Sequence, residues 1–402
     1  MTRLLVLLAL LLAAPAAAQQ AIDPNRLPPH LEPDRTANGL AQTPQMGWNS
    51  WNKFGCNINE EIVRRTADAI VSSGMRDAGY QYVIVDDCWQ SGRGADGTII
   101  ADPARFPSGM RALADYVHAR GLKFGLYSDA GRMTCGGRPG SQGHEYQDAR
   151  TYAAWGVDYL KYDFCNTGTR NAEEAYALMA DALRSTGRDI LFAICEWGNN
   201  QPWLWAANIG NSWRTTGDIM DRWEGTDRWM IGVMNIVDRN EPLWPYAGPG
   251  HWNDADMLEV GNGGMTTSEY RAHFSLWALM ASPLIAGNDI ANMDAATRDI
   301  LTNRDVIAVN QDRLGVQGRR VWRDGGRELW VKPLAGGARA VLFLNRGTEP
   351  VEIAASWEQL GWPDSLRVRV RDLWLHRELP RARGRIAATV DPHAVVMLRL
   401  QP

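Results

Sequence analysis

The chain has 402 residues, of which 45% are apolar and 22% charged, ordinary values for a folded globular protein with one large core or two separate ones. The 46 acidic and 42 basic side chains leave a formal charge of -4. This balance excludes a basic face for nucleic acid and a polybasic run for anionic lipid, and it suits a neutral partner.

Residues 1–18 combine Arg3, an apolar run over 4–14 and small residues Ala16 and Ala18 before Gln19, which reads as a signal peptide for export to the periplasm or beyond. That run is too short to span a bilayer, and no later stretch reaches the roughly 20 apolar residues a membrane helix needs. Pro24, Pro28, Pro29 and Pro33 mark residues 19–42 as an extended Pro-rich linker. Export places Cys56, Cys88, Cys135, Cys165 and Cys195 where disulfides persist, and the odd count leaves at least one unpaired.

From 43 to 316, apolar β-branched and aromatic runs alternate with helical patterns. Strands are predicted at 46–50, 82–88, 122–129, 157–165, 190–197, 212–218, 252–258 and 283–288, with helices at 60–73, 110–120, 147–155, 172–185 and 268–280 between them. Eight such runs predict an α/β chain built on a (β/α)8 TIM barrel, whose chemistry gathers where the strands end. An open doubly wound sheet fits less well, because no Gly-rich dinucleotide fingerprint follows the first strand. After residue 317, strands predicted at 328–333, 338–345, 366–373, 385–390 and 394–400 form a C-terminal antiparallel β-sandwich.

Strand alternation locates the site. In the fourth strand Tyr159, Lys161, Asp163 and Cys165 share one face, while Leu160, Tyr162 and Phe164 share the other and suit the helical layer. Lys123, Gly125, Tyr127 and Asp129 share a face in the third strand, as do Arg214, Thr216 and Asp218 in the sixth. Asp86 and Asp87 close the second strand; Asp254 and Asp256 close the seventh. So many ionisable groups at one barrel mouth are costly to desolvate without a ligand, which marks an active site.

Paired carboxylates flanking a sugar are the equipment of glycoside hydrolysis, and Trp51, Trp89, Trp197 and Trp213 near strand ends could pack on a pyranose ring. The seven histidines and five cysteines show no metal-ligand spacing, no nucleophile elbow or phosphate loop occurs, and Cys195 reads as a buried inert thiol. No metal or cofactor is expected.

The blocks MGWNSWNKFGC, YVIVDDCW, LKFGLYSDAG, VDYLKYDFCN, CEWG, NSWRTTGDI, WNDADMLEVGNGGM and AVNQDRLGVQG resemble, in order, glycoside hydrolase family 27 over about 43–318. The resemblance implies a retaining α-galactosidase with Asp163 as nucleophile and Asp218 as acid/base. It implies that Trp51, Asp86, Asp87, Tyr127, Lys161, Arg214 and Asp256 hold the galactosyl unit, and that Cys195, Glu196 and Trp197 face its 2-hydroxyl. It pairs Cys135 with Cys165 beside the sugar and Cys56 with Cys88, each bridge worth about 3 to 4 kcal/mol in the chain-entropy model. Asp221 is a fallback acid/base. An α-N-acetylgalactosaminidase, a β-L-arabinopyranosidase and a non-catalytic galactose-binding protein stay open as alternatives.

Overall fold

The computed structural model describes residues 38–402. The expected signal peptide and the linker up to residue 37 lie outside the described residues. Asn38–Ala41 do not trail away from the fold. The Ala41 carbonyl accepts from Gly250 N at 2.8 Å and Trp252 Nε1 at 2.7 Å, and Leu40 and Ala41 pack on the core inside the barrel.

The eight barrel strands are β1 (Met46–Asn49), β2 (Tyr82–Val85), β3 (Lys123–Asp129), β4 (Tyr159–Asp163), β5 (Leu191–Cys195), β6 (Ser212–Arg214), β7 (Trp252–Asp254) and β8 (Leu284–Ala286). They run parallel in the order β7-β6-β5-β4-β3-β2-β1-β8. Beyond the end of β7, Leu258 closes the ring onto β8: its N–H donates to Ile285 O at 2.7 Å and its carbonyl accepts from Gly287 N at 2.9 Å.

Alternation sorts the side chains as period-two geometry requires. Tyr82, Ile84, Tyr159, Leu191 and Ile285 fill the barrel interior, whereas Val83, Phe124, Leu160, Tyr162 and Ile194 pack outward with the helices. Gly125 belongs to the inner set because a Cβ there would stand 2.7 Å from the Ile84 side chain. The surrounding helices include α1 (Glu60–Ser72), started by Asn59, whose side chain accepts from Ile62 N, and α2 (Val233–Asn240). A third, α3 (Thr267–Leu279), opens with a full Thr266/Glu269 capping box. Helix α3 is buried nearly all round because the barrel covers one side and the C-terminal domain the other.

That domain has eight antiparallel strands where the sequence predicts five: β9 (Arg319–Asp324), β10 (Arg327–Pro333), β11 (Arg339–Asn345), β12 (Val351–Ser356), β13 (Arg367–Asp372), β14 (Arg377–Arg383), β15 (Arg385–Val390) and β16 (Ala394–Gln401). Their order is β9-β10-β11-β16-β13-β14-β15-β12. Leu329, Val331, Phe343, Ile353 and Trp357 build a core inside this domain, while Trp330, Leu342 and Leu344 on the other face join the barrel core.

The junction also holds charge. Asp238 on α2 pairs with Arg320 at 2.8 Å and Arg346 at 2.9 Å, both of which reach the buried Glu328. At the tip before β16, His393 stacks on Trp223 at 4.9 Å and meets Glu269 at 2.8 Å. Exposed Arg367, Arg369, Arg381, Arg383 and Arg385 gather on β13, β14 and β15, with Arg367 directly opposite Arg383. A whole-chain charge count averages this arrangement away.

Candidate active site

The C-terminal ends of the strands open into a cavity of about 1430 Å³. Sharp backbone turns shape its wall. Cys88, Asn166, Trp197 and Asp256, just past β2, β4, β5 and β7, all hold positive φ without being glycine. Such strained residues cluster where a site over-determines its backbone.

Two disulfides fix the loops of the first four strands. Cys56–Cys88 ties the β1 loop, and with it Trp51, to the end of β2; Cys135–Cys165 ties the β3 loop to the end of β4. Both pairings implied by the resemblance are present, and Cys195 is free and buried.

Asp86 accepts from Asn49 Nδ2 at 2.6 Å and Lys161 Nζ at 2.8 Å, leaving the lysine ammonium pinned at the cavity floor. Burial alone would push Lys161 down, but the charges of Asp86 and Asp163, with the hydrogen bond to Asp86, more than offset it and hold the ammonium well above its usual range. Asp87 accepts from Gly136 N and Cys88 N, both at 2.6 Å. A Cβ on Gly136 would sit 2.9 Å from that carboxylate, so only glycine permits the approach. Burial pushes Asp87 above the ordinary carboxylate range.

Asp163 is 6% exposed and accepts from Phe164 N at 2.9 Å. Burial pushes its carboxyl up, Lys161 pulls it down, and Asp218 pushes it up again. Its register partner Asp129 stands across the β3–β4 pair, accepting from Gly131 N at 2.6 Å and Cys165 N at 3.0 Å, and burial beside Asp163 raises it too. Asp129, Asp163, Cys135 and Cys165 lie within 4.8 Å of one another, the one such grouping among the described residues. Because the two sulfurs are bonded to each other, the grouping offers no thiolate pair to a metal.

Across the cavity, Arg214 is 4% exposed and forks between Asp218 at 3.1 Å and Asp256 at 2.7 Å. Asp218 keeps 35% of its side chain exposed, toward the cavity that it lines. Asp221 is committed elsewhere: both of its oxygens accept from Tyr270 OH at 2.9 Å, and one also accepts from Gly264 N. The geometry therefore favours Asp218 over Asp221 as the carboxylate open to a ligand.

Trp51, Asp86, Asp87, Tyr127, Cys135, Lys161, Asp163, Trp197 and Asp218 all line this cavity. Arg214 and Asp256 sit just behind it, and the buried Cys195 Sγ accepts from Arg214 at 3.7 Å. Glu196 is turned away, since its Oε2 accepts from Asn200 N at 2.7 Å and Asn200 Nδ2 at 2.8 Å. The strand ends at Cys195, so alternation no longer governs Glu196 and Trp197. Tyr127 is fully enclosed, its hydroxyl held far up by burial and the charge of Asp163.

Sequence reasoning missed Asn49, which steadies Asp86, and Glu259, which lines the cavity between Asn52 and Asn262 with its carboxyl pushed up to about 8 by burial. Glu259 lies inside WNDADMLEVGNGGM, so the motif contained the signal. Trp229 was also missed. It stands 63% exposed on a hairpin of Thr226–Asp227 and Met230–Ile231 at the cavity rim, and nothing marked it among 18 tryptophans.

Comparison with known proteins places these features in a family. The model described as Alpha galactosidase A matches residues 43–312, and that of the alpha galactosidase C-terminal beta sandwich domain matches residues 324–400. Alpha-galactosidase A of Cellvibrio japonicus is 54% identical over 377 residues, covering 90% of this chain and 93% of that protein. Among solved structures, alpha-galactosidase I of Mortierella vinacea superposes with a TM-score of 0.88 at 42% identity, covering 90% of this chain and 98% of its own. The alpha-galactosidase of Saccharomyces cerevisiae with raffinose gives a TM-score of 0.88 at 33% identity, covering 92% of this chain and 100% of its own. Matched across barrel and sandwich alike, the chain belongs to the Alpha galactosidase A family.

Proposed function

We propose that the protein is a retaining α-galactosidase that removes terminal α-linked galactose from oligosaccharides or glycoconjugates. One observation carries the reading: Asp163 and Asp218 line one cavity, each with its own cationic partner, Lys161 beside the first and Arg214 beside the second. In this reading Asp163 attacks the anomeric carbon from one face as Asp218 gives a proton to the departing oxygen, and the sugar is left as an ester on Asp163. Asp218 then takes a proton from water, which attacks the same carbon and frees Asp163. Two inversions give net retention. Lys161, Asp86 and Asp87 supply fixed donors and acceptors for the hydroxyls of the bound ring, and the apolar faces of Trp51 and Trp197 wall it. The two disulfides also support export to an oxidising compartment.

The test is a panel of aryl α-galactoside, α-N-acetylgalactosaminide and β-L-arabinopyranoside. The α-galactoside is expected to exceed the α-N-acetylgalactosaminide by at least about a hundredfold in kcat/KM, because in this reading the bulky Trp197, which lines the cavity, meets the sugar's 2-position and leaves no room for an acetamido group. Asp163→Ala is expected to abolish turnover of every substrate. Comparable rates on the first two sugars, or near-parental activity in folded Asp163→Ala, would reject the reading.

A further inference from the structure

Positive charge gathers on one face of the sandwich although the chain as a whole carries a formal charge of -4. On β13 and β14, Val368, Val370, Leu379 and Ala382 pack into the sandwich core. Alternation therefore turns Arg367, Arg369, Arg371, Glu378 and Arg383 to the opposite face, where Arg371 stands opposite Glu378 and Arg367 opposite Arg383. Arg381 lies exposed in the bulge opposite Arg369, and Arg383 pairs onward with Arg385 across a tight turn.

Carboxylates serve only the edges of this face. Arg371 reaches Asp305 at 2.8 Å and Glu378 at 3.6 Å, and Arg385 reaches Glu352 at 3.2 Å. Arg367, Arg369, Arg381 and Arg383 form no ion pair among the described residues; Arg383 donates to the Asp364 carbonyl at 3.4 Å. Like charges directly opposite each other destabilise a sheet, so the Arg367–Arg383 pair works against the fold. Choices that break a local rule without a compensating contact gather at functional sites. A second copy of the chain seated on this face would bring arginine against arginine, so the occupant is not the protein itself.

An anionic partner completes the face, and the neighbouring side chains narrow its class. No aromatic ring is interleaved with the four arginines for a base to stack on, and no large apolar side chain stands among them to enter a bilayer. The elements that carry them are strands, with no helix to enter a nucleic-acid groove. What remains is a flat array of guanidiniums, about 5 Å apart between strands and about 7 Å along them, whose planar forks match carboxylates. We propose that this face anchors an acidic polysaccharide through its uronate carboxylates. Arg369 lies opposite Gln401, at the far end of β16 from the His393 tip that rests on Trp223, about 24 Å of strand away. A polymer held there lies away from the loop of Asp218 and Asp221, and the inference stands apart from which galactoside the cavity cleaves.

The probe is end-labelled polygalacturonate, titrated with the full protein, with neutral dextran, duplex DNA and phosphatidylglycerol vesicles as comparison ligands. Polygalacturonate is expected to bind at about 0.05 M salt and to be released toward about 0.5 M, while dextran does not bind. Joint replacement Arg367→Gln, Arg369→Gln, Arg381→Gln and Arg383→Gln is expected to weaken that binding at least about tenfold. The melting temperature is expected not to fall, and hydrolysis of an aryl α-galactoside to stay within about twofold of the parent. A control with Arg65→Gln, Arg76→Gln, Arg150→Gln and Arg298→Gln, exposed arginines of the barrel, makes the same change in net charge and is expected to bind like the parent. Absence of binding by the parent, equal binding of dextran, or equal weakening in the two variants would overturn the proposal. Tighter binding to DNA or to the vesicles than to polygalacturonate would overturn it too, and assign the face to a phosphate-bearing partner.

Discussion

Asp163 and Lys161 stand two residues apart on one strand, and the pH dependence of the reaction is written in that spacing. Burial pushes the nucleophile up, and the ammonium pulls it back toward the ionised form it needs. The acid limb of kcat/KM reports that ionisation. Lys161→Met removes the opposing charge, so this limb is expected to move to higher pH by at least about one unit, beyond any loss of binding. A limb unmoved in a folded, active variant would show that Lys161 does not set the nucleophile's ionisation. These residues were legible because a strand has a period of two, and alternation alone turned Lys161 and Asp163 inward. Glu196 was not legible in that way. Once β5 ends at Cys195, the chain turns through the positive φ of Trp197, and hydrogen bonds to Asn200 decide where the carboxylate goes.

Helix α3 shows what an element contributes when it is buried on both sides. His273 on this helix accepts from Glu259 N at 3.1 Å and packs edge-on against Trp277 at 4.1 Å, with burial pushing its ring down to about 3. Above about pH 6.5 the ring is neutral in both folded and unfolded chains. Between 6.5 and 3 only the unfolded chain takes up the proton, so stability falls by up to about 1.4 kcal/mol per pH unit. His273→Gln removes the titration while leaving an acceptor for Glu259. Denaturant melts of both proteins across this range are expected to show the variant losing less stability on acidification; parallel losses would contradict the assignment. The barrel strands were legible as elements because their apolar runs are bounded by turns. In the sandwich, β9, β12 and β14 escaped. RRVWRD and RELPRAR are too polar to read as strands, and VEIAAS holds small residues. Pro380 is tolerated because it and Arg381 sit in a bulge opposite Arg369.

Where barrel and sandwich meet, the molecule buries a lysine. Lys332 Nζ donates to Ala278 O at 3.3 Å, and burial lowers its ammonium to about 7. Above about pH 10.5 the group is neutral folded or unfolded; from there down to 7 only the unfolded chain binds the proton, so the folded state loses ground as pH falls. Lys332→Met is therefore expected to raise stability by at least about 2 kcal/mol at pH 7, with the gain shrinking toward pH 10.5. Thermal melts at the two pH values check both the size and the trend. The two-domain plan was legible from the change in periodicity, but the junction was not, because it depends on which faces of β10, β11 and α3 meet. The stack of His393 on Trp223 joins a tip of the sandwich to the loop that follows Asp218 and Asp221. Barrel and sandwich are therefore not interchangeable modules. A barrel severed between residues 316 and 317, or grafted onto a foreign partner, would keep every side chain that lines the cavity and lose the ring on which Trp223 rests, so recombination at this seam inherits the chemistry without its brace.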